Sequence, residues 1–178
     1  YNNGLMANGM TVWATARKES NGGFVDRGPA IFKGTTSGGA YTWSQDSVSW
    51  GTYKTSASGT FYCTTPKIAF SPDGQTGYVL INGILSGATG NASKSLQPNV
   101  WKTTDAGATW TPVNQNYDWV ANHPEMLCNL ASTSHDDDWN GGTNGTYPAF
   151  FDAQGSGVTV DNNGVLHYVT TVVPAYST

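Results

Sequence analysis

Two tight turns that carry Asp before Gly constrain this chain most strongly. One turn contains Asp73 and Gly74, and the other contains Asp161 and Gly164. The apolar runs that flank them are residues 67–70 and 78–85 for the first turn, and 158–160 and 165–173 for the second. Asp-Gly and Asn-Gly sequences tolerate the positive φ that tight β-hairpins require. Two hairpins of the same layout, far apart in one chain, predict a β-fold built from a long internal repeat.

The composition agrees with an all-β protein. Gly occurs 22 times, and only 11% of the residues are charged, which suits short strands and tight turns better than solvent-exposed helices. The formal net charge is -4 and no basic run occurs, so no nucleic-acid partner is expected. No apolar stretch approaches the roughly 20 residues that span a bilayer. The chain starts at Tyr1 without a signal peptide, and we therefore expect a processed protein or a piece of a longer one.

A second repeat joins an aromatic-Lys pair to a Thr-Trp pair. Residues 31–43 and residues 100–110 each open with an aromatic residue before Lys and close with Thr-Trp, with Gly between them. The closing tryptophans are Trp43 and Trp110. The earlier copy is longer and has no counterpart of Asp105. Each copy predicts a strand, a turn and a second strand.

Residues 103–110 hold the sharpest motif, Ser/Thr-x-Asp-x-Gly-x-Thr-Trp. Its members are Thr103, Asp105, Gly107, Thr109 and Trp110. The Asp105 carboxylate can accept hydrogen bonds from turn amides, and Gly107 can take the left-handed conformation without strain. Trp110 can bury a large apolar area beneath the turn. We therefore predict that the motif has a folding role and no catalytic role.

This motif resembles the Asp box of the bacterial neuraminidase repeat, which occurs in sialidase-like β-propeller families. The resemblance covers most of the chain as repeats, although only residues 103–110 match the box closely. It implies four-stranded antiparallel blades whose Asp-box turns lie away from the ligand-binding rim. The low charge and the Asn/Gly-rich turns also resemble exported propellers of Bacteroidota. That likeness implies a secreted or cell-surface protein, with an outer-membrane secretion machinery as a partner.

The repeats indicate where each blade begins and ends in the sequence. The strands around Asp73 would be the first two of one blade, and those around Asp105 the last two. The expected division is a partial blade at about 1–57 whose leading strand is missing, a full blade at about 58–147, and the first hairpin of a third blade at about 148–178. About two and a half blades cannot close a propeller. We therefore expect a fragment of a larger ring, whose edges are covered by the remaining blades or by a protein partner.

A long polar insertion at 114–147 holds the main candidates for ligand binding. Trp119 and Trp139 lie beside Asp and Asn residues and either stack on sugar rings or anchor the loop. The acidic run consists of Asp136, Asp137 and Asp138. Calcium prefers such oxygen ligands, so this run is a candidate calcium site, and a solvated acidic loop is the alternative.

A sialidase would need a fuller catalytic set than this chain contains. The family binds the substrate carboxylate through three arginines, because Arg pairs with carboxylates in a bidentate geometry. This sequence has only Arg17 and Arg27, and Arg27 alone loosely matches the family's Arg-Ile-Pro segment. Glu19 and Glu125 are the only candidates to support a Tyr nucleophile. We assign no catalytic residue and keep Arg27 as a candidate ligand-binding residue.

Three functions remain open from the sequence. The first is a scaffold that binds a glycan or a protein. The second is part of a sialidase-like glycoside hydrolase whose other catalytic residues lie outside this segment, and the third is an assembly factor that docks a fixed partner. Cys63 and Cys128 either form a disulfide in an oxidising compartment or are separate buried thiols.

Overall fold

The computed structural model describes residues 5–8, 11–20, 23–45, 53–55, 63–94, 96–114, 122, 146–151 and 156–176. The protein is all-β, as predicted: its paired strands are antiparallel, and helix is nearly absent from the described ranges. The strands are β1 (Leu5–Asn8), β2 (Thr11–Ser20), β3 (Gly23–Ser37), β4 (Ala40–Gln45), β5 (Lys67–Phe70), β6 (Gly77–Gly83), β7 (Gln97–Thr103), β8 (Thr111–Asn114), β9 (Thr146–Phe151), β10 (Gly157–Val160), β11 (Leu166–Val169) and β12 (Thr171–Tyr176). A short 3-10 helix spans Gly90–Ser93.

The first sheet has four strands in the order β1-β2-β3-β4. Its leading strand is present, because β1 pairs with β2 along its whole length, whereas the sequence pattern predicted that this strand is missing. Gly38 and Gly39 join β3 to β4, with φ of 63° and 86°. Two consecutive positive φ angles give the tight two-residue turn of a hairpin. The turn within residues 31–43 is therefore formed by two glycines, whereas the turn within residues 100–110 contains Asp105.

The second sheet also has four strands, in the order β5-β6-β7-β8. The turn at Asp73 and Gly74 joins its first two strands, and residues 103–110 join its last two, as the repeats predicted. On the N-terminal side of β5, the chain pairs with β6 once more, through an isolated bridge between Cys63 and Gly83. Cys63 therefore extends the pairing of the first strand with β6, and residues 60–62 lie outside the described part of the chain.

A third unit, which we call the third hairpin, consists of β9 to β12. The strands β10 and β11 pair across the turn at Asp161 and Gly164. The strands β9 and β12 continue the same hairpin, because Phe151 pairs with Thr171 just beyond the pair formed by Gly157 and Val169. The sequence pattern predicted one continuous run at 165–173, and the structure divides it between β11 and β12.

The second sheet is packed on both faces. One face presents the alternating residues Ile68, Phe70, Val79, Ile81 and Trp101 to Trp13 and Ile31 of the first sheet. The opposite face presents Ala69, Tyr78, Leu80 and Val100 to Val158, Val160, Leu166 and Tyr168 of the third hairpin. Successive side chains point to opposite faces of a strand, so this alternation places one core on each side. The three units are therefore stacked face to face.

The first strands of the stacked units lie beside one another. The strand β5 contacts β1 and β2 on one side of the stack and β10 on the other. The last strand of the second sheet is much more open, and Val113 is 56% exposed although the sheet has a neighbour on each face. The second sheet is therefore in close contact with its neighbours at its first strand and more exposed at its last strand.

Candidate functional site

Three turns that contain Asp lie together at one end of the stacked units, which we call the turn end. They are residues 71–76, 103–110 and 161–165. The backbone N–H of Ala106 donates to the carbonyl of Gln75 at 3.0 Å, which ties the second turn to the first. A Cβ on Gly164 would lie 3.3 Å from the Thr76 side chain, so the third turn also contacts the first.

The Asp105 carboxylate organises the second turn. One oxygen accepts the Thr103 hydroxyl at 2.6 Å and the Thr109 backbone N–H at 2.9 Å, and the other accepts the Thr109 hydroxyl at 2.6 Å. The Thr103 hydroxyl oxygen in turn accepts the Gly107 backbone N–H at 2.9 Å. Ala106 and Gly107 both have positive φ, 54° and 80°, in the left-handed region that favours glycine. Both carboxylate oxygens are thus used within the turn.

These hydrogen bonds determine the chemistry that Asp105 can perform. The Thr103 hydroxyl, and after it the Thr109 hydroxyl and N–H, lower the pKa of Asp105 from 3.8 to about 2. A general acid or base works best with a pKa near the operating pH, which Asp105 does not have at neutral pH. This geometry favours a folding role for the motif.

The same hydrogen bonds predict how stability depends on pH. Because the folded pKa of Asp105 lies below the unfolded value of 3.8, the ionised turn contributes stability above that value, and the contribution is lost as pH falls towards about 2. We expect the urea midpoint to fall over this range. The variant Asp105→Asn should show a flatter dependence on pH, and the exposed neighbour variant Thr104→Ala should retain the wild-type slope. Equal slopes for Asp105→Asn and wild type would contradict this role of the carboxylate.

The other two turns use their Asp residues in a similar way. The Asp73 carboxylate accepts the Ser71 hydroxyl at 2.5 Å and the Gln75 N–H at 3.0 Å. The Asp161 carboxylate accepts two backbone N–H groups, from Asn163 at 2.8 Å and from Val165 at 2.9 Å. The pKa is lowered in both cases, first by the Ser71 hydroxyl for Asp73 and first by the Val165 N–H for Asp161. The hydroxyl residue two positions before Asp, shared by Ser71 and Thr103, is a sequence signal for this geometry.

The turn end also joins the first sheet to the second through Trp13. This residue pairs with Lys33 across the sheet, and the Lys33 ammonium lies 5.1 Å from the centroid of the Trp13 ring. The same ring packs on Gly107, where a Cβ would lie only 2.4 Å away, and it meets Trp110 edge-on with the ring centroids 5.9 Å apart. Trp110 therefore packs beneath its own turn at Gly107 and on Phe70 of its own sheet, as well as on Trp13 of the neighbouring sheet.

A second joint of the same kind links the second sheet to the third hairpin. Tyr78 pairs with Lys102, and the Lys102 ammonium lies 5.5 Å from the Tyr78 ring centroid. The Tyr78 hydroxyl donates to the carbonyl of Gly164 at 2.9 Å. In both joints, a Lys-aromatic pair of one unit contacts a positive-φ glycine in an Asp turn of the next. This recurrence is absent from the sequence motifs, because each joint is made by residues far apart in the chain.

Buried polar side chains lie at the other end of the second sheet, which we call the opposite end. The Asn82 amide donates to the Tyr168 hydroxyl at 2.7 Å. The Asn99 amide donates to the carbonyls of Gly83 at 3.1 Å and Gln97 at 2.9 Å, which fixes the connection between β6 and β7. Asn is depleted in strand interiors, so Asn82 and Asn99 were available as sequence signals and were missed.

Tyr53 and Cys63 are buried beside this polar group. Burial, together with Cys63, raises the pKa of Tyr53, so its phenol stays protonated at neutral pH. Its ring packs on Gly83, where a Cβ would lie 2.3 Å away. The predicted alternative of a disulfide stays a prediction, because Cys128 lies outside the described residues.

The ligand-binding candidates from the sequence are not brought together within the described part of the chain. Trp119, Trp139 and the candidate calcium ligands Asp136, Asp137 and Asp138 lie outside it. Arg27 lies in β3, and the placement of its side chain is also outside the description. Among the described residues, no group of three or more His, Cys, Asp or Glu side chains could hold a metal ion.

The flanks of the predicted insertion are described on both sides. The strand β8 leaves the turn end at Thr111 and ends at Asn114, which pairs with Val100. After the insertion, the backbone N–H of Phe150 donates to the carbonyl of Leu96, just before β7. Both flanks therefore approach the opposite end, where β7 begins.

Comparison with known proteins found no matching family model, no similar curated protein and no similar solved structure. None of the helices in the described residues is long and apolar enough to cross a membrane.

Proposed function

We propose that this chain is a segment of a β-propeller and that it serves as a glycan-binding scaffold in a secreted or cell-surface protein. The observation that carries the proposal is the packing of the second sheet, which has a stacked neighbour on each face and first strands side by side. Blades of a propeller are four-stranded sheets repeated around a central channel. Stacked sheets that are close at their first strands and open at their last are typical of that radial arrangement.

The turn geometry supports the same proposal. The hydrogen bonds made by Asp105 are those that an Asp-box turn would need, and the Lys-aromatic joints recur from one unit to the next. Each joint then fixes one blade against the following one. On the basis of the resemblance to sialidase-like propellers, we also propose that the protein is secreted and that an outer-membrane secretion machinery is its partner for export.

The proposed binding surface is the opposite end of the units. The carboxylates of the turn end accept hydrogen bonds within their own turns, which leaves little capacity for a ligand there. Both flanks of the insertion at 114–147 approach the opposite end. Trp119 and Trp139 belong to this insertion, and their rings offer flat, amphipathic surfaces suited to the faces of sugar rings.

Calorimetric titration with neutral and sialylated oligosaccharides tests this function. We expect saturable binding to at least one oligosaccharide, and a loss of affinity of about tenfold in Trp119→Ala or Trp139→Ala, which is ~1.4 kcal/mol. Val165→Ala serves as the control, because Val165 belongs to the turn at 161–165 of the turn end and is exposed. No binding, or equal affinity in all four proteins, would overturn the glycan-binding scaffold.

An enzyme assay separates the scaffold from the hydrolase alternative. We expect no release of the fluorophore from a fluorogenic sialoside by the purified protein. Turnover that disappears in Arg27→Ala would replace the scaffold by a sialidase-like hydrolase, because such an enzyme would use Arg to bind the carboxylate.

A further inference from the structure

The turn at 161–165 repeats the backbone of the turn at 71–76. In each turn, the N–H of a glycine donates to the carbonyl three residues earlier, at 3.0 Å for Gly164 and at 2.8 Å for Gly74. The φ angles of these two glycines are 72° and 69°. The residues that directly precede the two glycines therefore occupy equivalent places in their turns.

The two turns differ in chemistry at that place. Asp73 occupies it in the first turn, and its carboxylate accepts the Ser71 hydroxyl and the Gln75 N–H, which lower its pKa. Asn163 occupies it in the third turn. Its side chain is exposed, and its amide forms no hydrogen bond within the described part of the chain. The third turn thus carries an unbound amide where the first carries a bound carboxylate.

An Asn side chain that precedes Gly can react with the main chain. The backbone nitrogen of Gly164 attacks the Cγ carbon of Asn163, a succinimide ring forms, and the Cγ–Nδ2 bond breaks. The proton of the backbone N–H leaves with the amide nitrogen as ammonia. Water then opens the ring at either carbonyl and gives aspartate or isoaspartate. Gly favours the attack, because it has no Cβ to hinder the approach. The ionised carboxylate of Asp73 is a poor electrophile for the same step.

Burial and the following residue distinguish Asn163 from two other described asparagines. Asn162 is exposed in the same turn, but the residue after it is Asn163, whose Cβ hinders the attack. Asn82 precedes Gly83, but it is 0% exposed within β6, and its amide donates to the Tyr168 hydroxyl. Only Asn163 among these three combines exposure, an unbound amide and a following glycine.

The hydrogen bond of Gly164 controls access to this reaction. Its N–H donates to the carbonyl of Asp161, so this bond opens before the nitrogen attacks. Exposed turns open locally at a small cost in free energy, whereas a strand in the core opens at a cost near that of global unfolding. Opening therefore permits the reaction at Asn163 and prevents it at Asn82.

We propose that Asn163 is a modification site, which converts spontaneously to isoaspartate and thereby releases the third hairpin from the second sheet. Isoaspartate routes the main chain through the former side chain and adds one carbon atom before Gly164. The carbonyl of Gly164 accepts the Tyr78 hydroxyl at 2.9 Å, and its Cα lies against Thr76. Both contacts need the present length of the turn, so the longer chain breaks this joint. The inference goes beyond glycan binding, which is measured separately.

Peptide mapping of the aged protein tests the modification. The folded protein is incubated at mildly alkaline pH, because the attack needs loss of the Gly164 amide proton, and fragmentation that distinguishes isoaspartate from aspartate locates each product. We expect Asn163 to convert more than about tenfold faster than Asn162 or Asn82. A rate at Asn163 no higher than that at Asn162 would overturn the assignment of the site.

A matched variant tests the release of the hairpin. Asn163→Asp carries the same added charge as the isoaspartate form but keeps the normal main chain. Anion exchange isolates the isoaspartate form. We expect this form to lose the nuclear Overhauser effects between the Tyr78 ring and Gly164, and to exchange the Val165 amide proton faster, whereas Asn163→Asp keeps both properties. An isoaspartate form that retains these effects, or an equal loss in Asn163→Asp, contradicts release by lengthening of the main chain.

Discussion

Gly107→Ala is expected to lower the free energy of unfolding by about 3 kcal/mol, or roughly 10 °C in melting temperature. Two effects combine at this position. The φ of 80° is a conformation that residues with a Cβ rarely adopt, and the new Cβ would lie 2.4 Å from the Trp13 ring. Trp13 is itself held between two sheets, so the ring cannot move away without opening the core. Urea unfolding followed by circular dichroism measures the loss.

Two other glycines separate the backbone effect from the packing effect. Gly87 also has a positive φ, 83°, but a Cβ there meets nothing within 4 Å. Gly87→Ala should therefore cost about 1 kcal/mol, from the backbone conformation alone. Gly157 has open space and no positive φ, so Gly157→Ala should stay within about 0.5 kcal/mol of wild type. If Gly107→Ala costs no more than Gly87→Ala, Trp13 does not pack on the Asp turn.

Trp13→Ala is expected to cost about 4 kcal/mol, since it removes a large side chain from the centre of a core. Trp13 is 1% exposed, stacks on Phe70 with the ring centroids 5.5 Å apart and meets Trp110 edge-on. The substitution removes contacts between the two sheets, so the first sheet should also become less protected from hydrogen exchange. Urea unfolding measures the first effect, and exchange of the β3 amides measures the second.

Trp43→Ala is the matched control for Trp13→Ala. Both residues lie in the first sheet, but Trp43 is half exposed and faces away from the second sheet. We expect a cost of less than about 1.5 kcal/mol. Equal costs for the two variants would contradict the packing of the first sheet on the second through Trp13.

The sequence predicted those features of the fold that depend on residues close together in the chain. The Asp105 turn forms its hydrogen bonds within residues 103–110, so its residue types alone specify its geometry. The turn around Asp73 likewise determines the pairing of β5 with β6. The two turns give the order of the strands in the second sheet, and the alternating apolar residues give its two packed faces.

The sequence could not predict how the units pack. The contact between Trp13 and Gly107 joins positions distant in the chain, and neither residue type indicates its partner. The strand β1 was missed because its four residues are too few to show a period. For the candidate site, the sequence predicted Trp119, Trp139 and Arg27. The roles of Asn82 and Asn99 depend on Tyr168 and Gly83, which are distant in the chain, and were not predicted.

The central claim is that the three units stack in sequence through their Asp turns. Nuclear Overhauser effects in isotope-labelled protein test it most directly. We predict cross-peaks from the Trp13 indole to the α-protons of Gly107, with those protons shifted upfield by the ring, and cross-peaks from the Tyr78 ring to Gly164. Their absence, with the β5 to β8 pairings intact, would contradict the stack.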